Sequence, residues 1–472
     1  MESREPLEPR WVDYYASIET VVNDGDTQND FATIVIDAIP KSSAVALRNL
    51  DANRVLEDLD RYFPVFMLTA KLEMKLANEL VDNTGWIELS ISTDSHGEEA
   101  SFQASSITFE GDEEQAEVIF WVRVRSTSVA KRNLSALAAI AEFRTVSDAT
   151  ELTLRPFDCA KEAAGVAVYD VGQASFCALV DQNEHPLMFF DLGWPLPYNK
   201  RSLRLPGPFS PLHESLQRNG PQPVVLSHLD WDHWGFAIQS GQAKFDLRNG
   251  HWLTVPEYKE DALRRPWLMR RPRFHRHKLG PSQIHFLLTL SITFLPDGTR
   301  ALTFWPAKRS RLSFTNYTVI RCSPAHGGRT DFAYLRNNES LALTAKLEQR
   351  IEKVLLTGDS DYPSIPVNHL RGLTGISAPH HGGAITRHST PAAPPHSRMV
   401  RSTYPGCYQS VPSHLAETEA TNQGWEIHDT NDRSLCHCEL RCNTHGNKLI
   451  PLSVDIPKCS CGNVPSFGLC LR

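Results

Sequence analysis

PVVLSHLDWDHWGF, residues 223–236, is an apolar run that ends in four side chains of metal-ligand type within six positions: His228, Asp230, Asp232 and His233. The run Val224–Leu226 predicts a buried strand. Where an extended segment passes into a turn, alternate side chains share a side, so His228 and Asp230 project together and the turn brings Asp232 and His233 alongside. Neutral imidazole combined with carboxylate suits zinc, manganese or iron. The competing reading is a polar surface turn whose histidines make ordinary hydrogen bonds. H-x-D-x-D-H directly after a buried strand favours the metal site, because each further ligand type at fixed spacing reduces chance matches.

Working outward, AVYDVGQASFCALV from Ala167 and PLMFFDLGWP from Pro186 read as two apolar strands joined by the polar turn DQNEH. ESLALTAKL and KVLLTGDSD read as two more, after a long intervening segment. Most of these strands carry an Asp or His near an end, and in layered α/β architectures such ends gather side chains into one site. No G-x-S-x-G elbow and no Cys/His nucleophile pair competes with a metal-based chemistry.

The first 150 residues differ in texture. Residues 32–39 and the stretches WIELSIS and AEVIFWVRVRS have strand character, while residues 44–82 carry helical spacing through LTAKLEMKLANEL with a break at Pro64. These features predict an accessory α+β or β-rich domain over residues 1–158, followed by a catalytic-type domain over 159–433 with a basic insertion at about 240–312, and a Cys-rich segment over 434–472. Residues 1–150 hold 13 Lys+Arg against 27 Asp+Glu, a net of −14, and the remaining residues hold 35 against 28, a net of +7. The acidic region is therefore a candidate surface for a protein partner, and the rest is more tolerant of anionic substrates.

Length predicts two or three domains, and 41% hydrophobic with 22% charged residues is a globular composition. No run approaches the roughly 18–20 apolar residues of a membrane helix. MESREPLEPRWVDYY has acidic residues and no apolar core, so a secretory signal is not expected and a cytoplasmic location is.

Six motifs in order resemble the metallo-β-lactamase superfamily, and within it the hydrolase domain of competence-type DNA-uptake proteins: YDVGQAS (169–175), FFDLG (189–193), SHLDWDHWG (227–235), NNESLAL (337–343), LLTGDSD (355–361) and APHHGG (378–383). The resemblance spans about residues 165–430. Asp230 stands where many members have a histidine, as in the competence-type subgroup, and its harder oxygen ligand puts manganese on a par with zinc. The resemblance implies an αββα sandwich holding Zn2+ or Mn2+, two ions per site, with His228, Asp230, Asp232, His233, Asp359 and His381 as ligands. It implies that Asp359 bridges the ions, that Asp232 and His380 act in catalysis with His380 meeting substrate oxygen or leaving group, and that Asp170 and Asp191 brace the site. A further histidine expected between the second and fourth motifs has two candidates, His326 and His251. Without it the site is more open or mononuclear.

RRPWLMRRPRFHRHK, residues 264–278, has seven Lys/Arg in fifteen positions. Arg264, Arg265, Arg270, Arg271 and Arg273 with Trp267 read as a nucleic-acid or other phosphodiester contact, or as a patch that docks on the acidic region. Cys436, Cys438, Cys442, Cys459, Cys461 and Cys470 have C-x-C spacings that admit a structural zinc, against a default of free or buried thiols. The combined expectation is a metal-dependent phosphodiesterase or nuclease whose nucleophile is hydroxide from a metal-activated water. The alternatives are a non-catalytic metal-binding regulatory protein and a hydrolase of a small phosphoester.

Overall fold

The computed structural model describes residues 11–23, 31–82, 85–94, 101–107, 109, 117–195, 212, 221–325, 331–347, 350–403, 411–431 and 446–452. They form two compact units. One comprises Met1–Thr145, Ile238–Tyr258 and Pro272–Ile292, the other Val146–Ala237, Lys259–Arg271 and Thr293–Arg472. Among the described residues no helix is long and apolar enough to cross a membrane.

The first unit is built on β1 (Val12–Asn23), β2 (Phe31–Pro40), β3 (Phe66–Glu73), β4 (Ile87–Ser92), β5 (Ser101–Ser106) and β6 (Ile119–Ser126), which close into a barrel in the order β1-β2-β3-β5-β6-β4. Its interior is filled by alternating residues such as Ile34 and Ile36 of β2, Phe66, Leu68 and Ala70 of β3, and Phe120 and Val122 of β6. The helical reading of LTAKLE is corrected here. Leu68, Ala70 and Leu72 are buried while Lys71 and Glu73 are exposed, a period of two, and the segment pairs with β2 from Phe31↔Glu73 to Ala38↔Phe66. Only Met74–Asp82 is helix.

The second unit starts with β7 (Gly165–Val168), β8 (Phe176–Val180), β9 (Pro186–Leu192) and β10 (Val224–Leu226). AVYDVGQASFCALV is thus two antiparallel strands rather than one, with the motif YDVGQAS forming the turn between them. The chain then contributes β11 (Ile238–Asp246) and β12 (His251–Tyr258), an antiparallel hairpin that belongs to the first unit. Helix Pro281–Ile292 belongs there as well, so the region about 240–312 is not one insertion of the second unit. The cause is visible in the partners. Asp37 of β2, 1% exposed, accepts the backbone N–H and the hydroxyl of Ser282 at the start of this helix, and the backbone of Trp252 takes both hydrogen bonds of the Tyr14 hydroxyl. A buried carboxylate without these donors would cost far more than the roughly 2–7 kcal/mol of an unpaired neutral polar group.

Back in the second unit, β13 (Trp267–Met269) and β14 (Leu302–Phe304) complete a seven-stranded sheet in the order β14-β13-β10-β9-β8-β7-β22. β15 (Arg311–Ser313), β16 (Tyr317–Arg321), β17 (Leu341–Ala345), β18 (Lys353–Leu356), β19 (Leu373–Ser377), β20 (Arg398–Arg401) and β21 (Glu426–Asp429) form the other in sequential order, and β22 (Lys448–Pro451) returns to the first. One core joins the two faces: Val166, Leu179, Phe190, Val225 and Leu268 from the first sheet meet Val319, Leu343, Val354, Leu356 and Val400 from the second. The second sheet's other face packs Ile320, Ala342, Leu355, Ile376 and Met399 with Ala420 and Trp425, beneath helix His414–Asn422. The architecture is mixed α/β.

β9 and β10 are parallel neighbours in one sheet, and β18 and β19 are parallel neighbours in the other. Each pair therefore ends on a common edge, and the loops leaving those ends carry the ligand-type residues.

Candidate metal centre

The centre grows from strand ends. β9 carries Asp191 next to its last residue, β10 runs into Ser227-His228, β18 into Asp359, and β19 into His380-His381. Three loops lock together behind it. Gly193 donates its N–H to the Ser175 carbonyl at 2.7 Å and Ser175 donates to the Asp232 carbonyl at 2.8 Å. A Cβ on Gly193 would lie 1.9 Å from the Asp232 carbonyl oxygen, so the glycine of FFDLG is required by close approach.

Asp191, 0% exposed and in the left-handed region at φ 62°, organises the candidate ligands. Its Oδ1 accepts the Ser227 N–H at 2.7 Å, and its Oδ2 accepts both the Ser227 hydroxyl and the Nδ1–H of His233 at 2.8 Å. Because the Ser227 hydroxyl donates to Asp191, its oxygen is left to accept from His228 Nδ1, 3.0 Å away. Both imidazoles then carry their proton on Nδ1 and present an Nε2 lone pair to the centre, the arrangement by which a carboxylate orients metal-binding histidines.

Those two Nε2 atoms are buried without a hydrogen-bond partner, as is Asp359 Oδ1. His233 Nε2 lies 3.2 Å from Asp359 Oδ1, His381 Nε2 lies 3.1 Å from Asp232 Oδ2, and His228 Nε2 lies 3.9 Å from Asp359 Oδ2. Ligands about 2.0–2.2 Å from one cation stand roughly 3.0–3.5 Å apart, so the shorter edges have the spacing of a coordination polyhedron. Two groups of three bring their ligand atoms within 4.8 Å of one another among the described residues: His228, His233 and Asp359, and Asp232, His233 and His381. The residues fit a divalent cation.

Charge points the same way. Burial opposes ionisation of Asp359, yet His233 and His380 outweigh it and hold the carboxyl well below the usual carboxylate range. Burial likewise disfavours an imidazolium at His233, but Asp359, Asp191 and Asp232 raise it well above the ordinary histidine value. Carboxylates that attract a proton this strongly also attract a cation in its place.

His380 and His381 have φ of 50° and 56°, a conformation that costs a non-glycine residue about 1–2 kcal/mol each. The strain turns the two rings to different partners: His381 to Asp232, and His380 to Asp359 Oδ2 through Nδ1 at 3.2 Å. His380 keeps 27% of its side chain exposed, against 7% for His381.

Among the described residues, the remaining expected ones have further partners. Asp230 ion-pairs with Arg336 and lies 3.4 Å from His228 Nε2 through its other oxygen. Asp170 is buried but accepts the Gly446 N–H at 2.9 Å, which ties the YDVGQAS turn to the chain entering β22. His251 sits on the hairpin of the first unit with Asp246 as its nearest carboxylate, 3.9 Å away. His326 and all six C-terminal cysteines of the possible zinc cluster lie outside the described residues.

The reading of residues 264–273 as one exposed basic surface is corrected. Arg265 and Trp267 are 0% and 1% exposed. Arg265 donates to the carbonyls of Asp261, Gln222 and Leu212, and stacks on Phe189. Arg270 donates to the Cys322 carbonyl, Arg271 pairs with Asp148 over the Phe304 ring, and Arg264 pairs with Glu260. Arg273 is exposed and belongs to the other unit. Cations with five donors satisfy buried carbonyls as readily as phosphates, and sequence alone does not distinguish these uses.

Ser227, Arg336 and Asn337 are the residues that sequence reasoning passed over. Ser227 bridges both histidines to Asp191, and the Asn337 amide nitrogen approaches His380 Nδ1 at 3.5 Å. Their signal was adjacency: Ser227 precedes the H-x-D motif, and Arg336 precedes NNESLAL.

No protein-family model matches the chain, and no curated protein matches it.

Proposed function

We propose that this protein is a metal-dependent hydrolase of metallo-β-lactamase type, with an αββα catalytic unit, acting on a phosphoester. The observation that carries this reading is that two buried imidazole nitrogens without hydrogen-bond partners, His228 Nε2 and His233 Nε2 after β10, face Asp359 at the end of β18. Asp232, His233, His381 and Asp359 are the residues that would hold the cation, with His228 beside them. Zinc or manganese bound there supplies a Lewis acid for the phosphoryl oxygen and lowers the pKa of water toward neutrality.

The chain's own contribution is positional. Asp191 and Ser227 fix the two imidazoles so that their lone pairs face inward. His380, held through Nδ1 by Asp359 and still partly exposed, is placed to give a proton to a leaving-group oxygen. The phosphoester class rests on the motif resemblance. The internal engagement of Arg265, Arg270, Arg271 and Trp267 favours a small phosphoester over a polymer laid along that stretch.

The test compares wild type with Asp359→Ala on bis(p-nitrophenyl) phosphate, p-nitrophenyl phosphate, and single- and double-stranded DNA and RNA, each with manganese, zinc or chelator. Metal-dependent turnover lost in the variant is expected. Turnover that is indifferent to both chelator and the substitution would refute the assignment.

A further inference from the structure

The ion pair between Arg336 and Asp230 changes the count of cations this centre needs. Arg336 lies in the last turn of helix Phe332–Asn338, and its guanidinium Nε meets Asp230 Oδ1 with only 12% of the arginine side chain exposed. A guanidinium is charged at any pH a protein tolerates, and it is a fixed cation.

We propose that Arg336 takes the place of one metal ion, so that the centre binds a single divalent cation at Asp232, His233, His381 and Asp359. The inference rests on the hydrolase reading above. Three observations lead to it. Neither ligand group within mutual reach contains Asp230. A second ion would find His228 Nε2 with Asp359 Oδ2 at 3.9 Å and, at 3.4 Å, the one Asp230 oxygen that Arg336 leaves, on a carboxylate whose charge the guanidinium already neutralises. His233 Nε2 belongs to both groups, yet an imidazole nitrogen has one lone pair and serves one ion. The guanidinium already supplies one fixed positive charge beside Asp230, so a second divalent ion there would meet a like charge in a buried site.

The experiment measures metal content and electron paramagnetic resonance of the full chain after manganese saturation and desalting. About one manganese per chain with an uncoupled six-line spectrum is expected for wild type and Arg336→Lys. Arg336→Gln, with Asp230 released, should rise to about two ions with an exchange-coupled spectrum. Two ions in wild type, or one ion in a folded Arg336→Gln protein, would overturn the proposal and leave the hydrolase reading standing. No bound ion in folded wild type would overturn that reading itself. Should Arg336→Gln fail to fold, Asp230→Asn decides: an unchanged count of one supports the single-ion centre, and a folded variant that loses its ion refutes it, because Asp230 would then be a ligand.

Discussion

Replacing Asp191 by asparagine separates an orienting carboxylate from an ordinary buried polar residue. The substitution keeps size and one acceptor oxygen, and it removes one charge. If the amide oxygen stays on the Ser227 N–H, the amide NH2 faces the Ser227 hydroxyl and His233 Nδ1, where Oδ2 now accepts at 2.8 Å from each. Two donors then oppose each other at His233, and the imidazole relieves this by moving its proton to Nε2, the atom aimed at the cation. Loss of such a carboxylate partner typically weakens metal binding 10–100-fold, about 1.4–2.7 kcal/mol. Competition against a chromogenic chelator measures the change, with circular dichroism confirming the fold. A folded Asp191→Asn protein that binds zinc and manganese as tightly as wild type would refute the proton arrangement drawn for His228, Ser227 and His233.

Arg265→Met should lower stability by more than about 3 kcal/mol, because it strands the carbonyls of Asp261, Gln222 and Leu212 in the interior, while the exposed Arg273→Gln should stay within about 0.5 kcal/mol. Urea unfolding measures both, and equal midpoints would contradict the buried role. Gly193→Ala has no room beside the Asp232 carbonyl and should cost more than about 3 kcal/mol or abolish folding, visible as a lowered melting temperature. His369 is pushed down to about 4 by burial, with Lys353 and Arg311 adding to the shift. Its folded value lies below the unfolded value near 6.5, so the unfolded chain binds the extra proton between these pH values and stability falls as pH drops from about 6.5 to 4. The loss is on the order of 1–3 kcal/mol. His369→Gln should flatten that part of the curve, and an unchanged slope would show that another group sets it.

The clustering of His and Asp at strand ends was legible in sequence because the pattern is local. Val224–Leu226 is a short apolar strand followed at once by His228, Asp232 and His233, and the glycines of LLTGDSD and APHHGG mark the turns that follow β18 and β19. Where the signal was two-sided, local reading failed. Leu68, Ala70 and Leu72 fit a strand as well as a helix, and pairing with β2 decided between them.

What the sequence by itself determined was the set of chemical groups: two histidines and two aspartates in one loop, with Asp359 and His381 following later in the chain. Tertiary structure decided which of them act together. It paired Asp230 with Arg336, more than a hundred residues away in sequence, and put Asp191 behind both histidines of the H-x-D-x-D-H loop. It also turned Arg265 and Trp267 from apparent surface contacts into core. An ion pair and a buried guanidinium depend on distances across strands that are remote in sequence, and local spacing carries no record of those distances.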